Sequence, residues 1–124
     1  MREILFRGKR TNNGEWVEGF YLNRTNDDEN IHCIMEKFPA TIGKKVIPET
    51  VGQYTGLTDC NGKKIFEGDI VECAKEDELL VIEWSESEAK FMLSASTFIC
   101  SFDNYWGYET EIIGNIHDNP ELLN

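Results

Sequence analysis

The chain has 124 residues and a formal charge of −11, from 12 Lys and Arg against 23 Asp and Glu, and 40% of its residues are hydrophobic. One core-forming domain fits that length, and an acidic surface disfavours generic binding to nucleic acid or to anionic membranes. The longest aliphatic run, Leu79 to Ile82, is far short of the roughly 20 residues that span a bilayer, so no transmembrane helix is expected.

In chain order, residues 3–10 and 15–22 are rich in β-branched and aromatic side chains and are separated by Thr11-Asn12-Asn13-Gly14, which predicts a hairpin. On the second arm Trp16, Glu18 and Phe20 project to one face and Val17, Gly19 and Tyr21 to the other. Both faces carry aromatics, and both are candidates to be covered. Residues 23–30 contain no apolar side chain and are expected to form an exposed loop. Ile31 to Met35 reads as a strand, whereas Pro39 and Pro48 argue against a regular central strand between them.

Residues 51–71 carry the densest turn information. Asn61-Gly62 suits a tight turn, and Gly68-Asp69 before Ile70-Val71 suits a sharp re-entry into a strand. Short strands follow at Ile70–Cys73, Leu79–Trp84, Lys90–Ala95 and Glu111–Ile116, joined by the acidic connections 75–78 and 85–88. Spacing of this kind predicts a small antiparallel sheet curled into a barrel. At the end, Asn119, Pro120 and Glu121 have the chemistry of a helix start, so one helical turn is expected there.

Charge is uneven along the chain. Residues 1–62 hold eight basic and nine acidic side chains, while residues 63–124 hold four and fourteen, giving −1 and −10. The segment up to Arg10 runs the other way, with Arg2, Arg7, Lys9 and Arg10 against Glu3 alone. These four residues are a candidate basic patch, through which local phosphate contacts could survive an unfavourable global charge.

The run Thr55-Gly56-Leu57-x-Asp59-x-Asn61-Gly62-x-x-Ile65-Phe66-Glu67-Gly68-Asp69-Ile70-Val71 carries a family resemblance. So do Ile4-x-Phe6-Arg7-Gly8-Lys9, Trp16-Val17-x-Gly19 and Gly114-Asn115-Ile116-His117-Asp118-Asn119-Pro120-Glu121-Leu122-Leu123. Together they resemble the YopX family of phage and prophage proteins over nearly the whole chain. That resemblance implies an all-β fold: one domain over 1–124, with an N-terminal hairpin and loops to about residue 50. An SH3-type barrel from about residue 51 and a short C-terminal helical turn complete it. It also implies a phage or prophage origin in a bacterial host, and it brings no catalytic or ligand residues. Physically, the shared residues read as architecture. Gly56, Gly62 and Gly68 supply backbone freedom, Asp59 and Asp69 can bond turn amides, and Ile65, Phe66, Ile70 and Val71 pack inside. Cys60 departs from the usual pattern of that turn, where a charged residue is commoner.

The motifs that carry chemistry are missing. His32, Cys33, Cys60, Cys73, Cys100 and His117 form neither C-x-x-C nor H-x₃-H, so no metal is expected. Gly43-Lys44-Lys45-Val46 lacks the upstream glycine and the hydroxyl of a phosphate-binding loop, so no nucleotide cofactor is expected. His32 and Cys33 would point apart on a strand, and Cys73 or Cys100 with His117-Asp118 makes a thiol–base pair only on paper. The chain opens without the long apolar stretch of a secretory signal, so its cysteines are expected as thiols in the bacterial cytoplasm, Cys100 as core filler and Cys60 exposed in a turn.

Phe102, Tyr105, Trp106 and Tyr108 belong to an aromatic cluster that offers either a partner-binding surface or a plug for one end of the barrel. The expectation is therefore a non-enzymatic interaction module without cofactors that binds a host or phage protein, with self-association a further option. The alternative is a nucleic-acid-linked role, as a DNA mimic through the acidic second half or as a weak binder through the N-terminal basic residues, although direct nucleic-acid binding is disfavoured by the net charge.

Overall fold

The computed structural model describes residues 2–26, 29–36, 43–74, 76–103 and 109–123. The chain is mainly β and divides into two compact units, Met1–Tyr54 and Thr55–Asn124.

In the first unit, β1 (Phe6–Lys9), β2 (Trp16–Asn26), β3 (Glu29–Met35) and β4 (Lys44–Lys45) are followed by the opening residues of β5 (Gly52–Thr58). The strands are antiparallel, in the order β4-β3-β2-β1-β5. The Thr11–Gly14 turn forms as its composition predicts: the Arg10 and Gly14 amides donate to Glu15 O and Arg10 O, and Asn13 Oδ1 accepts the Glu15 amide at 2.9 Å.

The expected loop over residues 23–30 is instead the end of a long hairpin. β2 continues to Asn26, pairing Asn23 with His32, Arg24 with Ile31 and Thr25 with Asn30. A ladder needs only backbone donors and acceptors, so an all-polar segment can extend it into solvent without apolar side chains. Pro48 opens a 3₁₀ turn, Pro48–Thr50, in which the Thr50 hydroxyl donates to Ile47 O and accepts the Lys9 amide. Val17, Ile34 and Val46 form the core, with Phe6, Tyr21 and Val51 packed against them. The Val17–Tyr21 face of β2 is thus the covered one. The other face leaves Phe20 and Leu22 at 50% and 39% exposure, so only one of the two aromatic faces is buried.

The second unit contains the rest of β5, then β6 (Lys64–Phe66), β7 (Asp69–Cys73), β8 (Leu80–Ser85), β9 (Lys90–Ser94), β10 (Ile99–Ser101) and β11 (Thr110–Asn115). β6 neighbours β5, and the remaining strands form an antiparallel sheet in the order β10-β9-β8-β7-β11. Among the described residues no sheet closes on itself, so the strand ladder by itself does not complete the barrel that the spacing suggests. Ile65, Val71, Cys73, Leu80, Ile82, Leu93 and Phe102 make the core. Phe66 and Ile70 are buried too, as the turn-rich motif predicts. Gly56, Gly62 and Gly68 adopt φ of 91°, 79° and 92°, conformations that a side chain would strain.

Pro120–Leu123 forms a 3₁₀ turn, the single helical turn expected from Asn119, Pro120 and Glu121. Among the described residues, no helix is long and apolar enough to cross a membrane.

Candidate functional site

Arg7 and Lys9 lie two residues apart on β1 and so share a face. Register places Lys9 opposite Trp16 and Arg7 opposite Glu18. The Arg7 guanidinium sits 4.7 Å from the centre of the Trp16 ring and the Lys9 ammonium 5.9 Å from it, so two cations attend one indole. Along β2 the same face continues through the exposed Phe20, Leu22 and Arg24. Of the four basic residues expected to form a patch, only Arg7 and Lys9 are brought together here. Arg2 is exposed ahead of β1, and Arg10, in a bridge with Val46, alternates to the opposite side.

The aromatic cluster divides differently. Phe102 is buried at 9% exposure in the core of the second unit, its amide donating to Phe91 O at 3.0 Å. Tyr105, Trp106 and Tyr108 lie outside the described residues. Sequence reasoning placed Trp16 and Phe20 on one face but did not single out the half-buried Trp16 with the exposed Phe20 and Leu22 as a set. Their i, i+4 and i+6 spacing on one strand was the available signal, but the spacing does not say which face stays open.

The motif residues build turns. Asp59 is buried, and its Oδ1 accepts the amides of Asn61 and Lys63, each at 2.9 Å, while its Oδ2 accepts the amide of Ile112 at 3.0 Å. Burial raises the Asp59 pKa, but these amides and the nearby Lys63 charge outweigh it and hold the carboxyl below its ordinary value. Asp69, also buried, accepts the Phe66 amide at 2.8 Å. At the C-terminal motif, Asn115 Oδ1 accepts the amides of His117 and Asp118, and Asn119 Oδ1 accepts the Asn115 amide at 3.2 Å.

Cys33 is buried, whereas His32 beside it stacks on Tyr21 with ring centres 5.9 Å apart and its Nδ1 lies 2.5 Å from the Tyr21 hydroxyl. Cys73 is buried, Cys100 is half-buried against the core, and Cys60 is exposed. Among the described residues, no group of three or more His, Cys, Asp or Glu is placed to hold a metal ion.

Fold and turns together define a mainly β protein built on Asx and glycine turns, with a cation–aromatic face on its first unit. The YopX protein family matches residues 5–124, essentially the whole chain, and the protein belongs to that family. Among solved structures, the chain is similar to the crystal structure of protein EF1440 from Enterococcus faecalis, with a TM-score of 0.57 and 24% identity over 100% of each chain, a likeness of fold. No curated protein matches the chain.

Proposed function

We propose that the protein is a non-enzymatic interaction module, encoded by a phage or prophage and acting in the bacterial cytoplasm, that binds a host or phage protein through the outer face of its N-terminal sheet. The observation that carries this reading is the pairing of an exposed apolar stripe, Phe20 and Leu22, with the Arg7–Trp16–Lys9 group on the same face. Large apolar side chains beside a cation-flanked indole suit a partner that presents an apolar patch rimmed by carboxylates. The second unit is, in this reading, an open member of the SH3-type barrels: its strand order β10-β9-β8-β7-β11 is a meander whose last strand returns to the first.

Affinity capture of the tagged full-length chain from host cells tests the proposal when the wild type is run beside a Phe20→Thr/Leu22→Thr variant. A partner recovered with the wild type and lost with the folded variant supports this face, and a partner held equally by both sinks it.

A second reading rests on charge. Residues 55–124 hold fifteen acidic and four basic side chains, whereas residues 1–54 hold eight of each, so the entire net charge belongs to one unit. Such a surface suits mimicry of DNA against a DNA-binding protein. Release of duplex DNA from that protein on addition of this one, abolished by charge-reversing substitutions in the second unit, distinguishes it from the first reading.

A further inference from the structure

Val81 and Ser94 are register partners, so their side chains share the face of the second unit's sheet that looks away from the core residues Leu80, Ile82 and Leu93. Gly114 opposite Ile70, and Ile70 opposite Val81, continue that face across β11 and β7. Asn119 stands over Gly114, its Oδ1 2.6 Å from where a Cβ would lie, and the Pro120–Leu123 turn follows it onto the same face. There Leu122 and Leu123 stand across an open cavity of about 390 Å³ from Leu79, Val81, Ser94 and Ser96, and Glu78 borders it. We infer that this cavity binds a small organic cation, an ammonium head on an apolar body.

The apolar walls come from elements that other bonds hold in place. Val81 belongs to the β8–β9 ladder. On the opposite side the Leu122 amide donates to Asn119 O at 3.1 Å, the Asn119 amide donates to Asn115 O at 2.8 Å, and Asn119 Oδ1 accepts the Asn115 amide, which ties the turn to β11. Leu122 and Leu123 keep 36% and 45% of their surface exposed, so an apolar body lodged between them and Val81 buries area that the fold leaves in water.

The head group is selected by acceptors. Glu78 Oε2 accepts the Ser96 amide at 2.9 Å and the Ser96 hydroxyl, while Oε1 accepts the Thr97 hydroxyl, so the carboxylate is fixed beside Ser96. With its proton directed at Glu78, the Ser96 hydroxyl offers a ligand only lone pairs. The same bonds hold the Glu78 carboxyl below its ordinary value and keep it ionised through the neutral range. The surrounding field has the same sign, because residues 55–124 hold fifteen acidic and four basic side chains. An anion would meet repulsion here, and a neutral molecule would forgo the charge-assisted bond. Because the carboxylate is open to water, its charge contributes selectivity more than affinity.

NMR titration of the whole chain with hexylammonium, hexanol, hexanoate and ammonium chloride tests the site, since the first three share one apolar body. Hexylammonium should shift the Val81, Leu122 and Leu123 methyl signals saturably. It should bind at least about threefold more tightly than hexanol, with hexanoate weaker than either and the ammonium ion inert. Glu78→Gln, which keeps an oxygen for Ser96 and Thr97, should bring hexylammonium to within about twofold of hexanol. Leu122→Ala/Leu123→Ala, at exposed positions, should weaken both by about tenfold and leave the head-group preference in place. If Glu78→Gln disturbs the turn at Ser96, the head-group series on the unaltered chain decides the matter by itself. No saturable shift at those methyls, hexanoate binding as tightly as hexylammonium, or a cation preference that survives in a folded Glu78→Gln variant would each overturn the assignment.

Discussion

Asp59 and Ile112 are 53 positions apart in sequence, yet the Asp59 carboxylate accepts the Ile112 amide at 3.0 Å. The same carboxylate shapes its own turn through Asn61 and Lys63, and the Cys60 amide donates to Thr110 O at 2.9 Å. One buried side chain therefore closes the β5–β6 hairpin and fastens its tip to β11. Asp59→Asn keeps the shape but replaces an acceptor oxygen with a donor. It should cost about 2–3 kcal/mol, read as a lower urea midpoint with an unchanged slope.

Acid sensitivity follows from the same carboxylate. Its folded pKa lies below the ordinary aspartate value of 3.8, so its stabilising contribution is complete above the unfolded pKa and is lost as pH falls through the folded one. Urea midpoints measured from neutral pH down to about pH 2.5 should show the gap between wild type and Asp59→Asn narrowing as the pH drops. A gap that stays constant would mean that the carboxylate charge contributes nothing.

At the C-terminal motif, a methyl group on Gly114 would stand 2.6 Å from Asn119 Oδ1, the atom that accepts the Asn115 amide. Gly114→Ala should therefore destabilise by about 1–3 kcal/mol by displacing Asn119. Asn119→Ala loses the acceptor and removes the obstacle together. The double variant should then be no less stable than Gly114→Ala alone, and additive losses in a double-mutant cycle would contradict the contact.

The two faces of β2 differ in what they contribute. Ile34, fully buried across the ladder from Tyr21, should cost about 2–5 kcal/mol as Ile34→Ala. Phe20→Thr on the open face keeps a strand-forming residue and should change stability by no more than about 0.5 kcal/mol. Thermal unfolding of the two variants gives the comparison.

Cys60 is exposed but is a weak nucleophile at neutral pH. Local desolvation raises its pKa first, and the negative charges of Asp59 and Glu111 add to that. Its alkylation by iodoacetamide near neutral pH should be slower than that of an unstructured cysteine peptide, and Glu111→Gln should speed it.

Turn chemistry was legible because it is local. Gly56, Gly62 and Gly68 announce positive φ by lacking a side chain, and Asp59 and Asp69 announce amide acceptors within a few residues of the groups they bond. The core of the second unit was legible at Ile65, Phe66, Ile70 and Val71 for the same reason, since the turns on either side fix where those strands start. Residues 23–26 were not legible as strand, because a polar segment extends a ladder only when the facing strand happens to lie in register, as Ile31 and His32 do.

By itself, then, the sequence determined an all-β chain of this family, the residues of its tight turns and an acidic second half. Only the tertiary structure decided that Trp16 stands beside Arg7 and Lys9, that Phe20 and Leu22 stay uncovered, that Phe102 is spent on the core, and that His32 meets Tyr21. Each of those relations depends on the register between strands, and register is set by the sum of many backbone pairings and by which face finds a core. Neither is written in the few residues that a turn needs.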